Sequence, residues 1–287
     1  TPCVNTSDWL YGAYGEAHDY TVNITVPTCV PPTTLSVSNT TATAATLNWV
    51  STGTNFDVEL VTSGTAPTGT PTYTGVNAPF TTTTPLSAST AYEFYVRQNC
   101  GVTDGVSDWV GPFSFMTTQV PATLPYTDNF EGTINWSLVN GTQTNKWVVG
   151  SATNNGGSQA LYVSNDNGTS NVYSHTSSRV FAYRDIAIPA TAEMVDFSFD
   201  WKAGGESTYD YIRVWVVPTS YVPVAGTELT AANSGGVQIG GYFNLNTEFT
   251  TANYQIPVTT YQGQTVRLVF EWRNDGSIGK APSGAID

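Results

Sequence analysis

"FSFDWKAGGESTYDYIRVWVVP", Phe197 to Pro218, holds two alternating runs joined by a Gly-rich polar turn. In the second run Ile212, Val214 and Val216 share one parity, the period-two signature of a strand with one face in a core. The pattern repeats outward in "EMVDFSFDWKA", "GGYFNLN", "NYQIPV" and "TVRLVFEWRND", where Val266, Leu268, Phe270 and Trp272 face away from polar neighbours. Strands of this kind, filling about 160 residues after the linker "TTQVPATLP", predict a two-sheet jelly roll over residues 119–287. By the same alternation Arg213 points outward, where a pair with Glu206 or Asp210 is expected to be a surface salt bridge of small energetic value.

Residues 28–118 alternate in shorter pieces. Leu35 and Val37, then Ala45, Leu47 and Trp49, then Phe56, Val58 and Leu60, and finally Tyr92, Phe94 and Val96 each line one side of a run, with Gly, Pro and Thr-rich turns between. Such spacing predicts an antiparallel sandwich with Trp49 in its core. In residues 1–27, "YGEAHDYTVNITVP" ends with Tyr20, Val22, Ile24 and Val26 on one face. It is too short for a domain and reads as the last strand of one upstream. The fold class is therefore all-β: a sandwich followed by a jelly roll.

Composition narrows the function. Charged residues are 11% of the 287, and the formal net charge is −13, which excludes nucleic acid as a natural partner. Aromatics reach 13% while Leu, Lys and Glu are scarce, again favouring strands. No run nears the roughly 18 apolar residues of a membrane-spanning helix, so membrane insertion is not expected. With no initiating Met and no basic-then-apolar leader, the chain is expected to be a piece of a longer protein. Cys3, Cys29 and Cys100 form no zinc-type pattern. The 71-residue gap between Cys29 and Cys100 suits a disulfide from the start of the sandwich to a late strand. In an extracellular setting that bond would restrict the unfolded chain by roughly 4 kcal/mol on the loop-entropy model. Cys3 is then left odd, its partner expected upstream; three buried free thiols are the alternative, a poor match to this composition.

The Pro-rich opening, Trp49, "PLSASTAYEFYVRQNC" and the closing "FSFMTTQ" resemble a fibronectin type III domain, in the Cys-bearing form of large secreted Bacteroidetes proteins. "LPYTDNFEG", "ALYVSNDNGTSNVY", "FAYRDIAIPA", "FSFDWKAGGESTYDYIRVWVVP", "LVFEWRNDGSIG" and "AID" resemble consecutive blocks of the MAM-like, cleaved-adhesin jelly roll of Bacteroidetes surface proteins. "YGEAHDYTVNI" resembles the end of the small β domain named for its Gly-Glu-Val-Glu-Asp motif, with Ala17 and His18 in place of the middle pair. These resemblances imply an extracellular or outer-surface protein delivered by the type IX secretion machinery. They also imply that the Phe-Glu near the start of the jelly roll and the Asp after Ala-Ile approach each other. A structural calcium site is thereby carried onto Glu131 and Asp287, with Asp128 the weaker candidate, and the closing strand is expected to begin at Asp287 and be cut short.

Catalysis leaves few traces. His18 and His175 sit in no metalloprotease or nucleophile motif. A glycosidase needs two carboxylates across a cleft, roughly 5 to 10 Å apart; Asp196 with Asp200, or Glu206 with Asp210, are the candidate pairs, and structural acids explain both equally well. Calcium wants several oxygen ligands on loops, and acids gather in "TDNFEG", "SNDNGTSN", "GGESTYD" and "AID", although Asp166, Asn167 and Gly168 also spell an ordinary turn, as do Asp275 and Gly276. Trp136, Trp147 and Tyr173 lie in loop-like contexts from which rings could stack on sugar, whereas Trp49, Trp201 and Trp215 read as core, and core is the expectation for any single Trp. The expectation is a non-enzymatic adhesin segment binding an extracellular ligand or surface glycan, with accessory modules of a secreted hydrolase, or passive spacers, as the rivals.

Overall fold

The computed structural model describes residues 28–287; the expected upstream strand, Cys3 and His18 lie outside them. The regular elements of the described chain are nearly all strands, and it falls into two compact units. One holds the described residues up to Ser38 with Thr46–Thr81 and Tyr92–Phe115; the other holds Asn39–Ala45, Thr82–Ala91 and Met116–Asp287. The two short segments join the second unit through backbone bonds such as Thr118 N to Thr41 O and Thr117 N to Thr90 O.

The first unit is a fibronectin type III-like sandwich. Its strands are β1 (Thr33–Ser38), β2 (Thr46–Val50), β3 (Phe56–Thr62), β4 (Tyr73–Val76), β5 (Phe80–Thr81), β6 (Ala91–Gln98) and β7 (Val110–Met116). They form sheets in the orders β1-β2-β5 and β4-β3-β6-β7. Leu47, Phe56, Val58, Phe94 and Val96 are buried, and the Trp49 and Phe56 rings meet edge-on at 5.2 Å. Asp57 and Glu59, on the other parity of β3, are buried too. Arg97 pairs with Asp57 and lies over the Trp109 ring, while Thr68 and Gly69 donate backbone N–H groups to Glu59. Cys29 and Cys100 are joined by a disulfide with 5.8 Å between their Cα atoms.

The second unit is the jelly roll. Its strands are β8 (Ala122–Thr123), β9 (Ser137–Val139), β10 (Lys146–Gly150), β11 (Ala160–Ser164), β12 (Ser178–Ala187), β13 (Met194–Ala203), β14 (Tyr211–Pro218), β15 (Val237–Phe243), β16 (Asn246–Pro257), β17 (Thr265–Asn274) and β18 (Ala285–Ile286). A five-stranded sheet, β10-β11-β18-β13-β16, packs on a six-stranded one, β15-β14-β17-β12-β8, with β9 also pairing β12. Between them lies one core in which Trp147, Leu161, Val180, Ile212, Val214, Phe270, Trp272 and Ile286 are buried. Ile212, Val214 and Val216 supply its β14 row, as their alternation requires.

The outer face of the six-stranded sheet is where the alternation misleads. The β14–β15 connection folds back over it, and Leu229 and Tyr221 from that connection close a second apolar cluster with Phe181, Tyr183, Trp215, Val217 and Val269. The connection is fixed by a one-turn helix, Ala231–Ser234, which Thr230 and Asn233 cap reciprocally. Arg213 is consequently only 6% exposed, and its expected pairing with Glu206 or Asp210 is corrected. Its guanidinium donates to both carboxylate oxygens of Glu271, at 3.0 and 2.9 Å, and to Leu229 O. Arg179 and the Trp215 indole also donate to Glu271, which has no exposed surface. Two rows away, Arg267 holds Asp185 through two hydrogen bonds and stacks over Tyr183 at 4.0 Å.

Breaking a buried pair strands a charge, whereas an exposed pair contributes little. Glu271→Gln is expected to lower the stability of the jelly-roll transition in urea by about 3–5 kcal/mol. Glu228→Gln, at a side chain 56% exposed and 3.6 Å from Arg213, is expected to cost less than about 1 kcal/mol. Comparable losses in the two variants would contradict this picture.

Candidate functional site

Three features of the second unit bear on function: an acidic rim, an apolar cleft and an aromatic ledge. The rim forms where β18 slips between β11 and β13. Leu161 faces Ile286 and Trp201 faces Ile286 across it, and Asp200 and Asp287 exchange both backbone hydrogen bonds at 3.1 and 2.9 Å. Among the described residues β18 pairs with these two strands and not with the segment carrying Asp128 and Glu131. The 155–159 loop brings the acids together instead. Asn155 N donates to the Asp287 carboxylate and Asn155 Nδ2 to Asp200, while Ser158 N and Gln159 N donate to Glu131 at 2.6 and 2.7 Å. Gly157 makes the turn possible twice over: its φ is +77°, and a Cβ there would stand 2.5 Å from Glu131 Oε1.

These contacts set the charges. The Ser158 hydroxyl, then the Ser158 and Gln159 amides, hold the Glu131 carboxyl below its ordinary value. Burial pushes the Asp287 carboxyl up, and the Glu131 and Asp200 charges add to it. Glu131 and Asp287 therefore do share one electrostatic neighbourhood. Asp128 does not offer free oxygens to it: one oxygen accepts from Tyr126 Oη at 2.6 Å and Trp136 Nε1 at 3.1 Å, the other from Phe130 N at 2.9 Å. Among the described residues no group of three or more acids, histidines or cysteines is gathered closely enough to hold a metal by side chains alone. Asp166 is a turn residue, its carboxyl lowered to about 2 by the Ser164 and Ser170 hydroxyls.

Beside the rim, a cleft of about 260 Å³ opens between the two sheets. Val195, Phe197 and Phe199 of β13 form one wall, Leu124, Tyr126 and Phe130 the other, and Val266, Leu268 and Phe270 are on its floor.

The ledge lies on the outer six-stranded face, beyond the apolar cluster that Leu229 and Tyr221 close. Tyr242 stacks on Tyr211 with ring centroids 4.0 Å apart, and Arg273, opposite Tyr211 in register, lies 5.6 Å from the Tyr211 ring and 5.8 Å from that of Tyr209. Tyr209 and Tyr242 are 48% and 49% exposed. Arg273 is steadied by the carbonyls of Thr208 and Tyr209, which leaves part of its guanidinium edge available. Tyr242 takes the outer face by alternation, opposite in parity to core-facing Ile239 and Phe243; the two extra residues that β15 inserts between their pairings with β14 leave that parity unchanged.

The rings expected to stack on sugar are elsewhere. Trp147 is completely buried, Trp136 packs parallel to Phe270 in the core, and Tyr173 meets Trp272 edge-on while donating to Asp210 at 2.7 Å. The paired acids fare similarly as dyads. Asp196 and Asp200 stand on one face of one strand, roughly 13 Å apart at the ordinary rise, and bond Gln255 and Thr251. Asp210 is buried, which pushes its carboxyl up, and is occupied by Tyr173 and Asp275 N; Glu206 bridges back to it across a tight turn.

The chain is thus an all-β pair of sandwiches, a fibronectin type III-like unit and a jelly roll. No family model matches it, and no curated protein does. Among solved structures it is similar to a carbohydrate-binding module of the β-sandwich superfamily described as promiscuous in specificity, at 12% identity over 90% of this chain and 96% of that one, TM-score 0.38. A two-domain fibronectin type III segment of chicken tenascin aligns at 13% identity over 90% and 99% of the chains, TM-score 0.24. The enzymatically active domain of tailspike protein 4 of bacteriophage CBA120 aligns at 14% identity over 55% of this chain, which spans 19% of that domain, TM-score 0.33. Likenesses this distant carry no function.

Because folding raises the Asp287 pKa, its protonated form is favoured in the native state, and stability falls as pH rises from the ordinary aspartate value through the raised one. Asp287→Asn is therefore expected to raise the melting midpoint in metal-free buffer at pH 7 by about 1–2 °C, with the gain vanishing below about pH 4. A lower midpoint at pH 7 would contradict this assignment.

Proposed function

We propose that this chain is a non-catalytic segment of an extracellular or outer-surface adhesin, and that its jelly roll binds a surface glycan on the Tyr209–Tyr242–Arg273 ledge. The carrying observation is two half-exposed rings around Tyr211: Tyr242 stacked on it, and Tyr209 beside the Arg273 guanidinium that also lies against Tyr211. A sugar ring presents an apolar C–H face that a tyrosine face can cover, while Arg273 bonds hydroxyls around the ring edge. The disulfide supports an oxidising compartment outside the cytoplasm. Delivery by type IX secretion machinery belongs to this reading on the strength of the sequence resemblance alone.

On a glycan array the chain is expected to retain a restricted set of sugars. Tyr242→Ala and Tyr209→Ala should each weaken binding about tenfold, a loss of about 1.4 kcal/mol, with the far-UV spectrum unchanged. Binding that survives the double variant would move the site, and an empty array would favour a spacer.

A structural calcium at Glu131 and Asp287 is part of the same proposal. It is supported by the shared 155–159 loop and by the mutual repulsion among Glu131, Asp200 and Asp287, which a divalent cation would relieve. Asp128 is left out of this set, since its oxygens are engaged. Millimolar calcium added to chelator-treated protein is expected to raise the melting midpoint by a few degrees, and Glu131→Gln with Asp287→Asn to abolish the rise. An unchanged midpoint on calcium addition would remove the ion from the proposal.

A further inference from the structure

Three arginines on the outer face of the six-stranded sheet are held in closely similar ways, and one of them lacks a carboxylate. Arg267 sends Nη1 to the Tyr221 carbonyl at 2.7 Å and turns its Nε and Nη2 edge to Asp185, at 2.8 and 3.0 Å, with the Tyr183 ring against it. Arg213 presents the same edge to Glu271, at 3.0 and 2.9 Å, beside the Trp215 ring. Arg273 repeats the arrangement: Nη1 goes to the carbonyls of Thr208 and Tyr209, and the rings of Tyr211 and Tyr209 lie 5.6 and 5.8 Å away. Its Nε and Nη2 have no acceptor among the described residues.

Sheet register explains the missing acid. Arg267 stands opposite Asp185 and Arg213 opposite Glu271, whereas Arg273 stands between Arg179 on β12 and Tyr211 on β14. Arg179 brings a second positive charge and is itself turned to Glu271. The acids closest in the chain and the fold are occupied. Asp210 feels the Arg273 charge, but it is 1% exposed and its two oxygens accept from Tyr173 Oη and Asp275 N. Asp275 accepts from the Ser277 amide and hydroxyl. Elsewhere Arg97 holds Asp57, and Arg184 is buried against Gln119 and the Val120 carbonyl. Among the described residues, Arg273 is the arginine that water reaches and no carboxylate neutralises.

A side-on guanidinium edge is matched by the two coplanar oxygens of a carboxylate and only half matched by a hydroxyl. Resting on the glycan reading of the ledge, we propose that the sugar bound there carries a carboxylate on its pyranose ring, as a uronic or sialic acid does. The Tyr242 and Tyr209 rings cover its apolar C–H surface, and Arg273 takes the carboxylate through Nε and Nη2. The formal charge of −13 repels an acidic glycan at long range, so selectivity has to come from this contact.

The test is an array of neutral, uronate, sialylated and sulfated oligosaccharides, followed by calorimetry on the tightest binder and its carboxyl methyl ester. The retained members are expected to be those with a carboxylate. Esterification keeps the ring and removes the charge, and is expected to weaken binding at least about tenfold, because hydrogen bonds to charged groups are the stronger ones. Arg273→Gln should weaken the acid by a similar factor and leave the ester within about twofold, whereas Tyr242→Ala should weaken both alike. A merely structural Arg273 would lower acid and ester together, and that result would overturn the proposal. Retention of neutral sugars alone, or an ester that binds as tightly as the acid, would overturn the carboxylate and leave the glycan site standing. Sulfated members that outbind the carboxylated ones would reassign the edge to a sulfate ester. An empty array would remove the glycan reading and this inference with it.

Discussion

Glu271 has no access to water, and the jelly roll is arranged around that fact. A bare carboxylate in such a place is untenable; two guanidinium groups and an indole N–H from β12 and β14 make it tenable. These partners flank β17 on both sides, so the cluster ties three strands at one level. Arg213 lies directly opposite Glu271 in register, and a one-residue slip of β14 would turn it into the apolar core. The net energy of such a cluster is modest, because desolvation offsets much of the attraction. Its larger effect is on uniqueness: among the possible registers of β12, β14 and β17, one leaves no charge stranded.

The cover over this cluster decides where function can reside. Leu229 contributes a carbonyl to Arg213 and a side chain to the outer apolar cluster, and Tyr221 does the same for Arg267. The sheet face is thereby dry from the Trp215 row downward. What remains wet is its other end, where Tyr209, Tyr242 and Arg273 lie around buried Tyr211, and this confines any ligand at that end to a short aromatic strip.

Strand parity was legible in the sequence because a period of two needs only local information. Ile212, Val214, Val216 and the β17 row all face the core as their alternation requires, and the two-sandwich architecture follows from the number and spacing of such runs. Parity says which side a residue takes, and nothing about whether that side meets water. Arg213 was misjudged for this reason: the segment that buries it, "TSYVPVAGTELTAANSGG", has no periodicity and acts through Leu229 and Tyr221. The ledge was illegible for a related one: alternation puts Tyr242 on the outer face, but only the path of the β14–β15 connection decides that this ring stays half-exposed. Trp136 and Trp147 are core, as expected of any single Trp, and Tyr173 shows that a ring in a loop-like stretch can also pack against one.

Two residues of β18 do more than their length suggests. They hold Asp287 against Asp200, and the 155–159 loop adds Glu131 beside them, which creates the acidic rim. The acids are not equivalent there: Ser158 and Gln159 donate to Glu131 and draw its carboxyl down, whereas burial, with the Glu131 and Asp200 charges, pushes Asp287 up. Seating β18 in the sheet therefore works against the charge on Asp287, so the protonation of this one carboxyl and the docking of β18 are a single local equilibrium.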